Sequence, residues 1–287
     1  MILSKPVVAA VDFSTTSRQV LIQAARIAKI EGVPLFVVHV VFPGLLPHRP
    51  GCRPSPKVID NARLKAEQHL DELLGGVDLE ISAEGLVVVG RPPDEIGQLI
   101  EREDAGLLVI SANKPGQKRL GSIASRCVRT VPCDVMLVRE KKHDRYQRIV
   151  ACIDLSQASD PVMARAVEGA RHGAALEVVH VTFPIDQDPG LCGEAMEEVA
   201  DDRAFVEKGL SRVMEPYQEA LQEISHKVSI LESPVPSVAL TCHAEDVGAD
   251  LVVLGTRGHS KLGAMFFGTN AERLLHDVEA SVLAVRI

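Results

Sequence analysis

The chain has 287 residues, 46% of them hydrophobic and 24% charged, a globular balance with length enough for two domains. A formal net charge of −8 and a pI near 5.7 argue against a nucleic-acid partner, which requires a basic surface. Six cysteines form no CxxC pair, so free thiols in a reducing compartment are expected. The apolar N-terminus is interrupted by Asp12 and no uncharged run reaches the length of a membrane span. The expectation is a cytoplasmic protein with no membrane partner.

Taken in chain order, "PVVAAVD" (6–12) is a short Val-rich run without alternation. It is predicted to be a strand buried on both faces, hence part of a parallel sheet under helices. "SRQVLIQAARIAKIEG" (17–32) has apolar residues at helical spacing, an early Ser and a closing Gly. "VVHV" (37–40) closes a second strand, and the Pro-rich "PGLLPHRPGCRPSPKV" (43–58) reads as the loop after it. "PPDEIGQLIERED" (92–104) is predicted to be a helix capped by Asp94. "AGLLVIS" (105–111) is the fourth strand and "VPCDVMLVRE" (131–140) carries the fifth. The charged, aperiodic "EKKHDRYQR" (140–148) is the linker.

The order of events then begins again. "RIVACIDLSQASDPVMARAVEGARHGAALEVVHVTFP" (148–184) repeats the apolar run ending in Asp (Asp12, Asp154), the Ser two residues on (Ser14, Ser156), the amphipathic stretch and "VVHV". "ADLVVLG" (249–255) parallels the fourth strand and "VEASVLAVRI" (278–287) the fifth, after a helix in "SVALTCHAEDVG" (237–248). The period, about 145 residues, is that of a whole domain. The Pro-rich loop is replaced by the acidic "PIDQDPGLCGEAMEEVADD" (184–202), which gives the halves different surroundings. Each half reads as five strands with about four helices, a doubly wound α/β sheet, over residues 1–140 and 146–287. The apolar, β-prone "VLAVRI" is an edge that invites pairing, most cheaply with its own copy, "VMLVR". An intrachain pseudo-dimer with approximate two-fold symmetry is therefore expected, with further homodimer formation left open.

"GTRGHSKLGAMFFGTN" (255–270) follows the fourth strand of the second half and precedes a helix. It carries G-x2-G-x9-G-[S/T] at Gly255, Gly258, Gly268 and Thr269. With Asp154 and "VVHV", this resembles the universal stress protein family in its tandem form, over almost the whole chain. The resemblance implies five-stranded parallel sheets of order 3-2-1-4-5, and ATP binding, usually with Mg2+, in members that carry the full motif. It puts Gly255, Gly258, Gly268 and Thr269 around phosphates and ribose. Asp154 would accept from ribose or the adenine edge, and Val181 would meet adenine through its backbone. The chemistry suits the residues. Backbone N–H groups at a helix N-terminus, aided by its dipole, bind phosphate, and glycine lets the oxygens approach. Asn270 adds a donor. Arg257 and His259 either add positive charge or are solvated loop side chains. "HSKLGAMFF" packs as a flap over the nucleotide or docks on the neighbouring domain.

The first half departs from this pattern. In "SANKPGQKRLGSIASR" (111–126), Ser111 replaces the first glycine, Asn113 and Lys114 stand near the second, and the loop is three residues shorter before Gly121 and Ser122. Lys114, Lys118 and Arg119 form a solvated basic loop or hold an anion as point charges. One ATP site per chain is expected, in the second half. No P-loop, GxGxxG or G-x-S-x-G motif occurs, and no catalytic residue or structural metal is assigned. His39 and His180 are read as structural. The leading function is an ATP-binding stress-response regulator with little or no hydrolysis. Against it stand an adenylyl-transfer or slow ATP-hydrolysing enzyme, and a nucleotide-free interaction scaffold.

Overall fold

The computed structural model describes residues 4–47, 53–113, 119–139, 145–183, 194–256 and 268–287, with the side chains of 194–202 left aside. The chain divides into two compact units, Met1–Asp144 with Ser281–Arg286 and Arg145–Ala280 with Ile287.

The first unit contains β1 (Val7–Ala10), α1 (Ser17–Glu31), β2 (Leu35–Val41), α2 (Pro56–Gly75), β3 (Ala83–Val89), α3 (Pro92–Arg102), β4 (Leu107–Ser111), α4 (Ser122–Thr130) and β5 (Asp134–Val138). These strands lie in the order β3-β2-β1-β4-β5, every pair parallel. β1 and β4 are central, and their apolar runs are buried along almost their whole length. Helix α1 packs on both through Val20, Leu21, Ala24, Ala25 and Ala28, whose small residues allow close approach. It stops at Gly32, whose φ of 65° is the left-handed cap that favours glycine and lets its N–H reach Ala28 and Lys29 carbonyls. Helix α3 begins earlier than Asp94 predicts. Pro92 and Pro93 occupy its first turn, Arg91 is the N-cap, and Asp94 lies inside the first turn, favourable to the dipole. The Pro-rich loop is also shorter than expected, because a proline, Pro56, again opens the helix.

The second unit contains β6 (Arg148–Cys152), α5 (Ser159–Ala170), β7 (Ala175–Thr182), α6 (Glu194–Met214), α7 (Gln218–Glu223), β8 (His226–Glu232), α8 (Pro236–Asp246), β9 (Leu251–Gly255) and α9 (Thr269–Asp277). Its strands repeat the order as β8-β7-β6-β9, all parallel. Part of the acidic segment read as loop is helix, since α6 starts at Glu194; 184–193 lie outside the described residues, as do 140–144 of the linker. Arg148, the last residue assigned to the linker, already opens β6. The Asp250 carboxylate accepts the N–H groups of Gln147 and Arg148 there, at 2.7 and 3.0 Å.

The final strand, β10 (Ser281–Val285), belongs to the first unit and pairs antiparallel with β5, Val282 opposite Leu137 and Ala284 opposite Val135. The expected pairing of "VLAVRI" with "VMLVR" is thus present. The pair is closed reciprocally, with Arg139 N–H donating to Ser281 Oγ (3.2 Å) and Arg286 N–H to Asp134 Oδ1 (2.9 Å). Asp134 and Ser281 are the matching first residues of the two strands. Both strands are buried throughout, so β5 does not end the sheet as an open edge.

Candidate functional site

In a parallel sheet the loops that can gather a ligand lie beyond the carboxyl ends of the strands. In the second unit β6 runs between β7 and β9, with Cys152 opposite Val179 and Ala151 opposite Val253. Continuing that register brings Asp154, Val181 and Gly255 to the same edge. Gly268, at the start of α9, joins them by donating its N–H to the carbonyl of Thr256 at 3.1 Å. Six of the sequence-derived residues are therefore gathered: Asp154, Val181, Gly255, Gly268, Thr269 and Asn270. Arg257, Gly258 and His259 lie outside the described residues, as does the stretch suggested as a flap.

Asp154 is fixed by its own turn. Its Oδ1 accepts from Ser156 N–H (3.0 Å), Ser156 Oγ (2.6 Å) and Ser159 Oγ (3.3 Å). Ser156 Oγ in turn accepts the N–H of Ala158 at 3.1 Å. Leu155, between them, sits at φ 60°, a left-handed conformation that an ordinary side chain adopts at a cost of roughly 1 kcal/mol. The first unit builds the same turn: Phe13 has φ 59°, and Asp12 Oδ1 accepts from Ser14 N–H (3.0 Å) and Ser17 Oγ (3.1 Å). The sequence marks Ser17 only as the early Ser of its helix and does not single out Ser159. The repeated Ser five residues after each Asp was the signal available.

Gly268 and Thr269 open α9, whose first intrahelical bond runs from Glu272 N–H to Gly268 C=O (2.9 Å). The N–H groups of Thr269, Asn270 and Ala271 precede that ladder and carry the positive end of the dipole. Thr269 and Asn270 are exposed. Gly268 has φ −64° and ψ 133°, a conformation open to any residue. A Cβ there would find its nearest neighbours at 3.9 and 4.0 Å, in ordinary contact. Neither backbone nor packing demands a glycine at this position. Gly268 is the N-cap residue, directly preceding the three backbone donors in the chain.

The first unit carries the same frame with a different lining. Gly121 opens α4 and donates to Ala112 C=O at 2.7 Å. Ser111, in the place of Gly255, turns its hydroxyl back onto the Asn113 carbonyl at 2.8 Å. Phe13 stacks on His39 (centroids 4.1 Å apart) and meets the His69 edge at 5.5 Å, whereas its counterpart Leu155 lies against Gly209 of α6. His39 and His180 are structural, as the sequence indicated: each donates Nδ1–H to the carbonyl closing the neighbouring strand, Val11 at 2.9 Å and Ile153 at 2.7 Å. Burial lowers the His39 pKa against the raising effects of that bond and of Asp12.

Cys127, Cys133, Cys152 and Cys242 are free, and burial pushes the Cys127 and Cys133 thiols up to about 12. Among the described residues no group of three His, Cys, Asp or Glu side chains could hold a metal, and no helix is long and apolar enough to cross a membrane.

Comparison with known proteins agrees with this architecture. A universal stress protein of Mycobacterium tuberculosis, Rv2005c, is 24% identical over 310 residues, covering 99% of each chain. Universal stress protein A homolog 1 of Coxiella burnetii is 33% identical over 149 residues, 49% of this chain and 96% of its own. The crystal structure of a universal stress protein from Archaeoglobus fulgidus, 22% identical, shares the fold with a TM-score of 0.70 over 98% of both chains. The universal stress protein family model itself matches twice, over residues 4–139 and 145–286, and the chain belongs to that family.

Proposed function

We propose that the chain is a cytoplasmic stress-response regulator that binds an adenine nucleotide, ATP with Mg2+, in its second unit and turns it over little or not at all. One observation carries the reading. Gly268 is a glycine that neither its backbone conformation nor its packing demands, at the N-cap of α9, where a side chain would compete with phosphate for the helix N-terminus. Phosphate oxygens seated there would meet the N–H groups of Thr269, Asn270 and Ala271, with the helix dipole favouring their charge. Asp154, held by Ser156 and Ser159, would accept from ribose or base, and the Val181 backbone at the end of β7 would meet adenine. Gly255, Gly258, Arg257 and His259 complete the proposed site. The first unit supports one nucleotide per chain, because Ser111 consumes its hydroxyl on its own loop and Phe13 fills space beside His39.

Isothermal titration with Mg·ATP tests the proposal. Binding at one site per chain is expected, and loss of it in Gly268→Val, where the added branches crowd the helix N-terminus. No heat of binding, or unchanged affinity in Gly268→Val, removes it. Release of phosphate at many turnovers per minute would favour the enzyme reading instead.

A further inference from the structure

Thr256 is the residue between Gly255 and the segment leading to α9, and it is 2% exposed. Its carbonyl accepts the Gly268 N–H, while its Oγ1 is buried with no hydrogen-bond partner among the described residues. Burying an unsatisfied hydroxyl costs about 1–3 kcal/mol, so the group requires a reason.

The other half of the chain shows that the fold does not supply one. Ala112 occupies the matching position after β4, is 0% exposed, and accepts the Gly121 N–H in the same way. Gly121 and Gly268 have nearly the same conformation (φ −68° and −64°, ψ 151° and 133°), and each opens a helix of nine residues. In one backbone frame, then, alanine packs completely. Thr256 adds a hydroxyl to that frame in the unit whose loop also carries the glycines.

The hydroxyl has a narrow choice of place. Four covalent bonds separate Oγ1 from the carbonyl that holds Gly268, which keeps it within about 5 Å of that oxygen. It belongs to the residue whose carbonyl anchors the start of α9, the helix whose Thr269, Asn270 and Ala271 N–H groups precede the intrahelical ladder. A buried, unsatisfied O–H on the residue that anchors a helix end with three such backbone donors matches a ligand made of acceptors alone. Phosphate oxygens are such a ligand, and neutral groups with donors of their own are not.

We propose that the Thr256 hydroxyl is a phosphate ligand of the second unit, donating to an oxygen of the nucleotide seated at the N-terminus of α9. This rests on the nucleotide reading above and adds a residue to it. Nucleotide binding satisfies this hydroxyl, so the protein without nucleotide is less stable than it would be without the group.

The test uses the full chain with Thr256→Val, which removes the O–H and keeps the branched shape, and Thr256→Ser, which keeps the O–H. Titration with Mg·ATP is expected to show affinity falling about ten-fold or more in Thr256→Val and staying within about three-fold in Thr256→Ser. The thermal midpoint without nucleotide is expected to hold or rise in Thr256→Val. Equal ATP affinity in wild type and Thr256→Val overturns the assignment while leaving the nucleotide reading intact. A midpoint several degrees lower in unliganded Thr256→Val also overturns it, since the hydroxyl would then serve the fold. A wild type that binds neither ATP nor AMP overturns the nucleotide reading itself, and this assignment with it.

Discussion

Glu177 offers the sharpest test of how the second unit is held together. It sits on β7 opposite Lys227 of β8, almost fully buried. Its Oε1 accepts from Ser229 Oγ and His243 Nε2, each at 2.7 Å, and its Oε2 pairs with Lys227 Nζ at 3.0 Å. Helix α8, which carries His243, packs on β7 through this contact. The first unit has Phe36, Leu86 and Leu99 at the matching places: three residues before the strand histidine, on the adjoining strand opposite the valine two residues on (Val38, as Ser229 is opposite Val179), and seven residues into the helix. Replacing Glu177 by Leu leaves the Ser229 and His243 donors without an acceptor, at about 1–3 kcal/mol each, while Lys227, 60% exposed, turns to water at little cost. The buried leucine returns part of this, so the net loss is about 2 kcal/mol. The triple change Glu177→Phe, Ser229→Leu, His243→Leu copies the first unit and should regain that loss or exceed it, since well-packed apolar groups commonly match a buried ion pair. The chain has no tryptophan, and both tyrosines, Tyr146 and Tyr217, lie in the second unit. Tyrosine fluorescence in urea therefore reports this unit alone. A single variant that costs under about 0.5 kcal/mol, or a triple variant less stable than the single, would refute the reasoning.

Acid should reveal the same network. Burial opposes ionisation of Glu177, but its donors from Ser229, Lys227 and His243 prevail and hold its carboxyl below the ordinary 4.5. A carboxylate lowered in the folded state contributes stability that is complete above 4.5 and lost as pH falls through the folded value. Urea midpoints of wild type should thus drop against the triple variant below about pH 4.5. His39 titrates in the same sense on the other unit: its pKa is below 6.5 when folded, so the stability it contributes is present above 6.5 and declines beneath it. Its ring proton shifts, followed by NMR, should show a midpoint under 6.5, and one above would contradict the burial. Gly268→Ala should fold as wild type does, within about 1 kcal/mol, because an added Cβ meets only ordinary contacts, yet bind Mg·ATP more weakly. A large fall in its thermal midpoint would mean that the glycine serves the fold.

Much of this was legible in the sequence because the chain states its pattern twice. The buried runs at "VVAAV" and "IVACI" and the amphipathic α1 and α5 follow from periodicity and repetition, whereas the reading of the glycines before α9, which the first half does not repeat, came with the family resemblance. The missed features depend on neighbours distant in sequence. Asp94 has the chemistry of an N-cap, but the two prolines before it fit the first turn and move the cap to Arg91. Glu177 reads as one polar residue in "ALEVVHV"; that it is buried is decided by Ser229 and His243, 52 and 66 residues away. Thr256 lies inside the glycine motif at a position the motif leaves open, and its hydroxyl gains meaning beside Ala112.

The two halves serve as controls for each other. Where both use the same device and contacts within the fold account for it, such as the Asp turn with a left-handed Phe13 or Leu155, or the strand histidine bound to a carbonyl, the fold is the sufficient cause. Where one backbone carries different side chains, the fold is indifferent and another demand has chosen. By that criterion Phe36, Leu86 and Leu99 against Glu177, Ser229 and His243 is a choice between two ways of docking a helix, with consequences for acid stability. Ser111 and Ala112 against Gly255 and Thr256 is a choice of another kind. The second pair gives up a self-satisfied loop and a well-packed methyl for a bare strand end and an unanswered hydroxyl. Each exchange is unfavourable to the protein without a ligand, and on the proposed nucleotide reading both become favourable together once an acceptor-rich ligand occupies the N-terminus of α9.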